Sequence, residues 1–330
     1  MKKTKLFSIV MFVLVVGFVG CKKDDTTVSP TEIKVDESAL LVSYLETNGD
    51  YINTSAPSVV AATTVFQDLS ANPPTQYIVD IRDSAAFVGG HIQGAHRVAF
   101  GDLLTHVKSI NATSYNRIVV VCYSGQTAAY GASILRLMGY SNVSSLKWGM
   151  CSWDSSFAKG KWLDNTKNTY ASQFSTTATA KNAKGSLPIL TTGKTTGKDI
   201  LEARVNDLLS KGYTAATISN SSLFANLSGH YIVNYWPLSE YNLGHIPGAV
   251  QYVKPDLRDS LYLRTLPTDK PVVAYCYTGQ TSSYLAAYLR ALGYDARTLL
   301  YGANAMIYDT MPGTKFAASE IKGYAYVTGN

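Results

Sequence analysis

Residues 118–130 read IVVVCYSGQTAAY: four β-branched residues in a row, a thiol at Cys122, a polar stretch holding Gly125, then small residues. A short apolar run closed by a glycine-containing turn predicts a strand buried on both faces, and Cys122 stands where that strand stops. Residues 272–284 read VVAYCYTGQTSSY and set Cys276 in the same surroundings. The chain therefore places a cysteine between a buried strand and the start of a helix twice.

Cys276 follows Cys122 by 154 positions, and other landmarks keep that spacing. Tyr77-Ile-Val-Asp80 meets Tyr231-Ile-Val-Asn234, Gly90-His91-Ile92 meets Gly244-His245-Ile246, and Gly139-Tyr140 meets Gly293-Tyr294. The match needs no gap from Tyr77 to about Ser145, after which one residue is lost, so that Gly149 meets Gly302. A period this long means duplicated domains and not a solenoid. Within a copy, Thr75–Ile81, Arg117–Cys122 and Val143–Lys147 are strand-like, whereas Thr127–Met138 and Thr281–Leu292 have helical length with glycine just beyond. Alternating strands and helices predict an α/β fold in two tandem domains, each a mainly parallel sheet with helices on both faces. In such a sheet a ligand site lies beyond the carboxyl ends of the strands, where both cysteines fall.

The 330 residues are 46% hydrophobic and 16% charged, enough for two ordinary cores. Lys2, Lys3 and Lys5 precede an apolar run that ends at Cys21, too short to span a bilayer comfortably and shaped like a secretion signal. The Val-Gly-Cys ending resembles a bacterial lipobox, which implies cleavage before Cys21 and its lipidation. The following Lys-Lys-Asp-Asp resembles the charged signal of surface-exported bacterial lipoproteins. The expected organisation is a signal peptide over 1–20, a flexible tether over 21–35, a first domain over 36–160, a linker or crossover over 161–196, and a second domain over 197–330. The expected location is the bacterial cell envelope, anchored by lipid in the outer membrane and exposed at the surface. Without residues 1–20 the net charge falls from +6 to +3, too small and scattered to argue for nucleic acid. Three cysteines then remain, Cys122, Cys151 and Cys276, an odd set that does not describe a disulfide framework.

A cysteine followed by a short loop and a helix start is favoured as thiolate by free backbone N–H groups and by the positive end of the helix dipole. Gly125 and Gly279 let the loop curl tightly enough for several N–H groups to converge on one sulfur. The thiolate is the nucleophile.

Cys-Tyr-Ser-Gly-Gln-Thr and Cys-Tyr-Thr-Gly-Gln-Thr, each preceded by Gly-His-Ile-x-Gly-Ala and followed by a Gly-Tyr turn, resemble the active-site loops of rhodanese domains. The likeness is tight over about 77–154 and 231–309, and Asp80 and Arg82 match the family's Asp-x-Arg entry. It implies sulfur transfer: a thiolate takes the outer sulfur of thiosulfate, a polysulfide or a persulfide, and passes it from a cysteine persulfide to a small thiol, a thiol-bearing protein or cyanide. Carried over by residue, Cys122 and Cys276 are the sulfur carriers. Tyr123, Ser124, Gly125, Gln126 and Thr127, with Tyr277, Thr278, Gly279, Gln280 and Thr281, form the N–H cradles. Preorganised donors suffice, so neither a metal nor an organic cofactor is expected. The phosphatases of the same fold use a longer loop closed by an arginine, and Ala128 and Ser282 stand six residues after the cysteines here, which places phosphate ester hydrolysis well below sulfur transfer. Neither loop carries a cation for a sulfonate group, so modest affinity for thiosulfate is expected.

His91 and His245, in a fixed Gly-His-Ile context, are read as structural hydrogen-bonding residues, and Asp80 and Arg82 as braces of the sheet. Asn234 and Trp236 replace that pair in the second copy, so turnover there is less secure. His96, His106 and His230 show no metal-ligand spacing. Cys151 is read as a small core residue, with a resolving disulfide to Cys122 as the alternative. The competing functional class is a surface-tethered binding or scaffolding module that keeps the fold without turnover.

Overall fold

The computed structural model describes residues 35–329; the expected signal segment, Cys21 and nearly all of the expected tether lie outside the described residues. Strands β1 (Val59–Val60), β2 (Gln76–Asp80), β3 (Ala95–Arg97), β4 (Arg117–Val121) and β5 (Val143–Leu146) form one sheet. Strands β6 (Thr217–Ile218), β7 (Tyr231–Asn234), β8 (Val250–Gln251), β9 (Val272–Tyr275) and β10 (Ala296–Leu299) form another. The strand orders are β1-β5-β4-β2-β3 and β6-β10-β9-β7-β8, with every pairing parallel. Around the first sheet lie helices α1 (Glu37–Thr47), α2 (Tyr51–Thr54), α3 (Ala62–Asp68), α4 (Ser84–Gly89), α5 (Leu103–Ser109) and α6 (Gln126–Leu137). Around the second lie α7 (Gly197–Lys211), α8 (Asn220–Ala225), α9 (Leu238–Tyr241) and α10 (Gln280–Ala291). These are the two tandem parallel-sheet units that the alternating pattern predicts.

The unbroken apolar run of β4 follows from cover on both faces. Ile118 and Val120 enter a central core, Val119 and Val121 pack into an outer one, and all four are fully buried. The central core is continuous across the repeats: Val120 and Leu135 of the first share it with Ala274, Leu285 and Leu289 of the second. Helices α6 and α10 lie against each other in its middle. Small residues on α6, Ala128, Ala129, Ala132 and Ser133, suit this close approach, and Ser133 Oγ donates to the Tyr284 carbonyl at 2.9 Å.

Residues 161–196 run over the second repeat. Lys167 N–H donates to Asn304 O at 2.8 Å, Tyr170 N–H to Met306 O at 3.1 Å, and Ser175 bridges His245. The segment after Met311 returns to the first repeat, where Lys322 N–H donates to Ser152 O at 3.0 Å, Tyr324 N–H to Trp153 O at 2.9 Å, and Val327 bridges His91. Each repeat is thus completed by the chain that follows the other. Tyr170 and Phe174 seat against the outer core of the second sheet, and Tyr324 against that of the first. Isolated aromatic anchors of this kind leave no sustained period in the sequence, which is why the segment reads there as a surface crossover.

Where the two segments cross, Trp148, Trp162 and Phe316 form a cluster, with ring centroids 4.7 Å apart for Trp148–Trp162 and 5.4 Å for Trp162–Phe316. A core shared by both repeats should unfold as one unit. Urea unfolding followed by far-ultraviolet dichroism and by tryptophan fluorescence is expected to give one coincident transition. Trp162→Ala should lower stability by about 3–5 kcal/mol with an unchanged m-value; two separated transitions would contradict the shared core.

Candidate active site

Cys122 directly follows β4, and Gly125 caps α6 with φ +81°. The cap turns the first turn of the helix toward the thiol: Gly125 N–H and Ala128 N–H donate to Cys122 Sγ at 3.2 and 3.3 Å. Ala128 is the third helical residue, so the sulfur occupies the place of a capping side-chain oxygen. A Cβ at Gly125 would lie 2.9 Å from Leu146 O, and one at Gly149 would lie 2.3 Å from Cys122 O. Both glycines are therefore required by space. Met150 and Cys151 donate their N–H groups to the carbonyls of Cys122 and Tyr123 at 2.8 and 3.1 Å, tying the loop to the turn after β5.

The second loop has the same frame with a different donor set. Gly279 caps α10 at φ +74°, and Ser282 N–H donates to Cys276 Sγ at 3.4 Å. The hydroxyls of Ser282 and Thr278 lie 3.5 and 3.9 Å from the same sulfur. The N–H cradles expected over Tyr123–Thr127 and Tyr277–Thr281 thus extend one residue further, to Ala128 and Ser282. The reason is helical: the N–H that reaches back over the cap belongs to the third residue of the helix.

The remaining cradle residues divide into lining and bracing. Tyr123, Ser124 and Thr127 line a cavity of about 210 Å³ with Cys122. Gln126 turns away from it and accepts from Tyr301 N–H at 2.7 Å, joining the first loop to the second repeat. Gln280 packs at Gly125, and its Oε1 is buried without a partner. The two cysteine loops therefore sit back to back across the repeats.

Asp80 and Arg82 form a fully buried ion pair at 2.6 Å, and Arg82 Nη2 also donates to Gly90 O at 2.6 Å. Arg82 Nη1 has no partner, while Arg82 lines the Cys122 cavity and stands 5.0 Å from the Tyr123 ring centroid. His91 Nδ1 donates to Phe87 O at 2.8 Å and His245 Nδ1 to Tyr241 O at 2.9 Å; each ring stacks on that same neighbour. In the second repeat Asn234 Oδ1 accepts from Trp236 N–H at 3.1 Å, and Trp236 stacks on Tyr277 at 5.0 Å. Trp236 is 1% exposed and fills the place that Arg82 holds in the first repeat.

Two residues outside the sequence motifs complete the first site. Lys161, at the start of the crossover, and Tyr301, from the second repeat, both line the Cys122 cavity, and Lys161 Nζ lies 5.1 Å from the Tyr123 ring centroid. The loop itself carries no cation, but its cavity is bordered by two. Only Tyr301 left a trace in the sequence, since it aligns with Trp148 before the paired glycines Gly149 and Gly302.

Burial corrects the expected ionisation of Cys122. At 5% exposure the loss of hydration outweighs the N–H groups of Ala128, Gly125 and Ser124, and the Asp80 charge acts in the same direction, so the thiol is pushed up. Cys151 is fully buried, its Sγ donates to Phe157 O at 3.2 Å, and burial pushes its thiol up to about 12. That environment suits a packed thiol.

A pair of parallel sheets that each deliver a cysteine onto a helix cap defines a class of cysteine-loop α/β proteins. The model of the rhodanese-like domain matches residues 62–156 and 228–323, more than half of the chain, and the chain belongs to that family. The thiosulfate sulfurtransferase GlpE of Pseudomonas entomophila (strain L48) is 33% identical over 91 residues, covering 28% of this chain and 82% of that protein. GlpE of Shewanella oneidensis is 36% identical over 96 residues, covering 27% of this chain and 92% of its own. Among solved structures, SseA from Escherichia coli, a 3-mercaptopyruvate sulfotransferase, aligns with 74% of this chain and 98% of its own at 17% identity and a TM-score of 0.27.

A raised thiol carries less thiolate at neutral pH than free cysteine does. Alkylation of Cys122 by iodoacetamide, read by peptide mass spectrometry, should therefore keep accelerating past about pH 8.5, where an ordinary thiol is half ionised. A plateau below that pH would contradict the dominance of burial.

Proposed function

We propose that the protein is a sulfurtransferase working through Cys122. The supporting observation is one cavity that holds the Cys122 sulfur, two N–H donors on that sulfur, and the side chains of Arg82 and Lys161. The Cys122 thiolate attacks the outer sulfur of thiosulfate; the S–S bond breaks, and sulfite leaves with the bonding pair. The persulfide then gives its outer sulfur to an acceptor thiolate or cyanide, and the Cys122 thiolate is regenerated. Gly125 and Ala128 N–H groups stabilise the Cys122 thiolate before attack and again when it is regenerated, which is electrostatic preorganisation. The ammonium of Lys161, on a flexible stem in the cavity lining, suits the anionic end of the donor, so thiosulfate and other anionic sulfane donors rank above uncharged ones.

Binding without turnover is the reading favoured for the second repeat alone. There Trp236 removes the cation, and Cys276 is 2% exposed beneath the hydroxyls of Thr278 and Ser282. Domain 2 then acts as the partner that supplies Tyr301 to the first site. Export and lipid anchoring at Cys21, with an envelope location, belong to the same proposal and rest on the lipobox resemblance; globomycin treatment of the producing cells should accumulate the uncleaved form.

Intact-protein mass after thiosulfate treatment is expected to rise by one sulfur atom per chain. Cys122→Ser should abolish both this gain and thiocyanate formation from cyanide, whereas Cys276→Ser should keep most of the rate. Lys161→Ala should raise KM for thiosulfate about tenfold, the loss of one charge-assisted contact of about 1.4 kcal/mol. Activity that survives Cys122→Ser would remove the proposal.

A further inference from the structure

The turns after β5 and β10 are counterparts, and each holds an aromatic residue in the left-handed region, Trp148 and Tyr301, both at φ +62°. Since both copies share that backbone, the difference between them lies in the side chain. Trp148 is fully buried in the cluster with Trp162 and Phe316. Tyr301 is only partly buried against the same cluster, and it lines the Cys122 cavity of the other repeat.

Two contacts fix Tyr301 at that cavity. Its N–H donates to Gln126 Oε1 at 2.7 Å, a bond that needs Gly279 to be glycine, because a Cβ there would lie 2.4 Å from the same oxygen. Its ring meets Trp162 edge-on, with centroids 4.8 Å apart and planes at 88°. Trp162 in turn donates Nε1–H to Ser124 O at 2.9 Å, and it directly follows Lys161 in the chain. One indole thus braces the cysteine loop, the lysine and the tyrosine together. The hydroxyl of Tyr301 has no hydrogen-bond partner among the described residues, and unlike those of Tyr130 and Tyr277 it is not sealed from solvent. It lies close enough to Cys151 and Cys122 for a charge on either sulfur to act on it. Burial, with those two charges, pushes the phenol up to about 12, so at neutral pH it is a protonated donor.

We propose, on the reading of Cys122 as the sulfur carrier, that Tyr301 is a specificity-determining residue of that site, its hydroxyl donating a hydrogen bond to the anionic end of the sulfane donor. Lys161 brings a point charge, which attracts any anion. The phenol adds one directed O–H, which favours a donor with acceptor oxygens beside the sulfur under attack. When the thiolate takes the outer sulfur of thiosulfate, the S–S bond breaks and the leaving sulfite keeps accepting from Tyr301; no proton moves. The second repeat thereby enters the chemistry at Cys122 through a side chain of its own.

The test compares two alkylating reagents on the full chain: iodoacetate, whose carboxylate stands in for the anionic end of the donor, and neutral iodoacetamide. Modification of Cys122 is read by peptide mass spectrometry. Tyr301→Phe removes the hydroxyl and keeps the ring. It is expected to lower the ratio of iodoacetate to iodoacetamide rates about fivefold, and to raise KM for thiosulfate by a similar factor with kcat little changed. An unchanged ratio overturns the proposal, and so does an equal slowing of both reagents, which would mark the tyrosine as packing alone. Absence of a Cys122 persulfide in the wild-type protein given thiosulfate would instead remove the sulfurtransferase reading, while the reagent ratio still decides whether Tyr301 recognises an anion beside the sulfur.

Discussion

The contact on which the rest turns is the hydrogen bond from Ala128 N–H to the Cys122 sulfur. It forms only if α6 begins directly beyond β4, and that start needs Gly125 in the left-handed region. The turn after β5 must in turn lie flush against the loop, which Gly149 permits and any Cβ would prevent. The same chain of requirements holds for Cys276, Gly279 and Gly302, with a Cβ at Gly302 falling 2.3 Å from Cys276 O. A strand end, a helix cap and the following turn thus form one mechanical unit, built twice and joined through α6 and α10.

Within this unit two electrostatic effects oppose each other. Amide dipoles and the helix terminus contribute on the order of 0.3–2 kcal/mol in favour of a charged sulfur. Burial at 5% exposure acts against it and prevails, since the thiol is pushed up. The site therefore needs its cations in a second role. At about 5 Å and an effective dielectric of about 20, one unit charge attracts an anion by about 3 kcal/mol. Lys161 and Arg82 both line the cavity, and since Arg82 is already paired with Asp80, the positive charge missing from the loop is supplied chiefly by Lys161 from the crossover.

The parts of this arrangement that are local in sequence were legible there. The apolar run of β4, the glycine cap, the helix that follows and the duplication are written in consecutive residues, and both parallel sheets follow from them. The ion pair of Asp80 and Arg82 was legible as a brace, but not the free Nη1, because a vacancy depends on what fails to come near. Lys161 and Tyr301 reach the Cys122 cavity from 39 and 179 residues away in the chain. No periodicity marks either, since one lies in a segment without regular structure and the other serves its own repeat's turn at φ +62°. The expected thiolate gives way to a raised thiol for a related reason: the loop shows its donors, whereas the burial of the sulfur is set by the packed core around it.

Divergence between the repeats follows from what each copy must hold. Asp80 Oδ1 accepts from Arg82 N–H at 3.0 Å, and Asn234 Oδ1 accepts from Trp236 N–H at 3.1 Å, so the turn after the second strand survives the loss of the charged pair. A buried ion pair contributes little net stability once desolvation is counted, and replacing it by packed apolar surface is often neutral or favourable. Asn234 uses its amide to donate to Tyr275 OH at 2.6 Å, and Trp236 lies face to face with Tyr277 at an interplanar angle of 13°. The second repeat has exchanged a cation in the wall of its cysteine site for contact area around it. Retaining Asp80 and Arg82 in the first repeat then needs a reason other than stability, and the place of Arg82 in the lining of the Cys122 cavity provides one: it keeps a cation within the walls of the site.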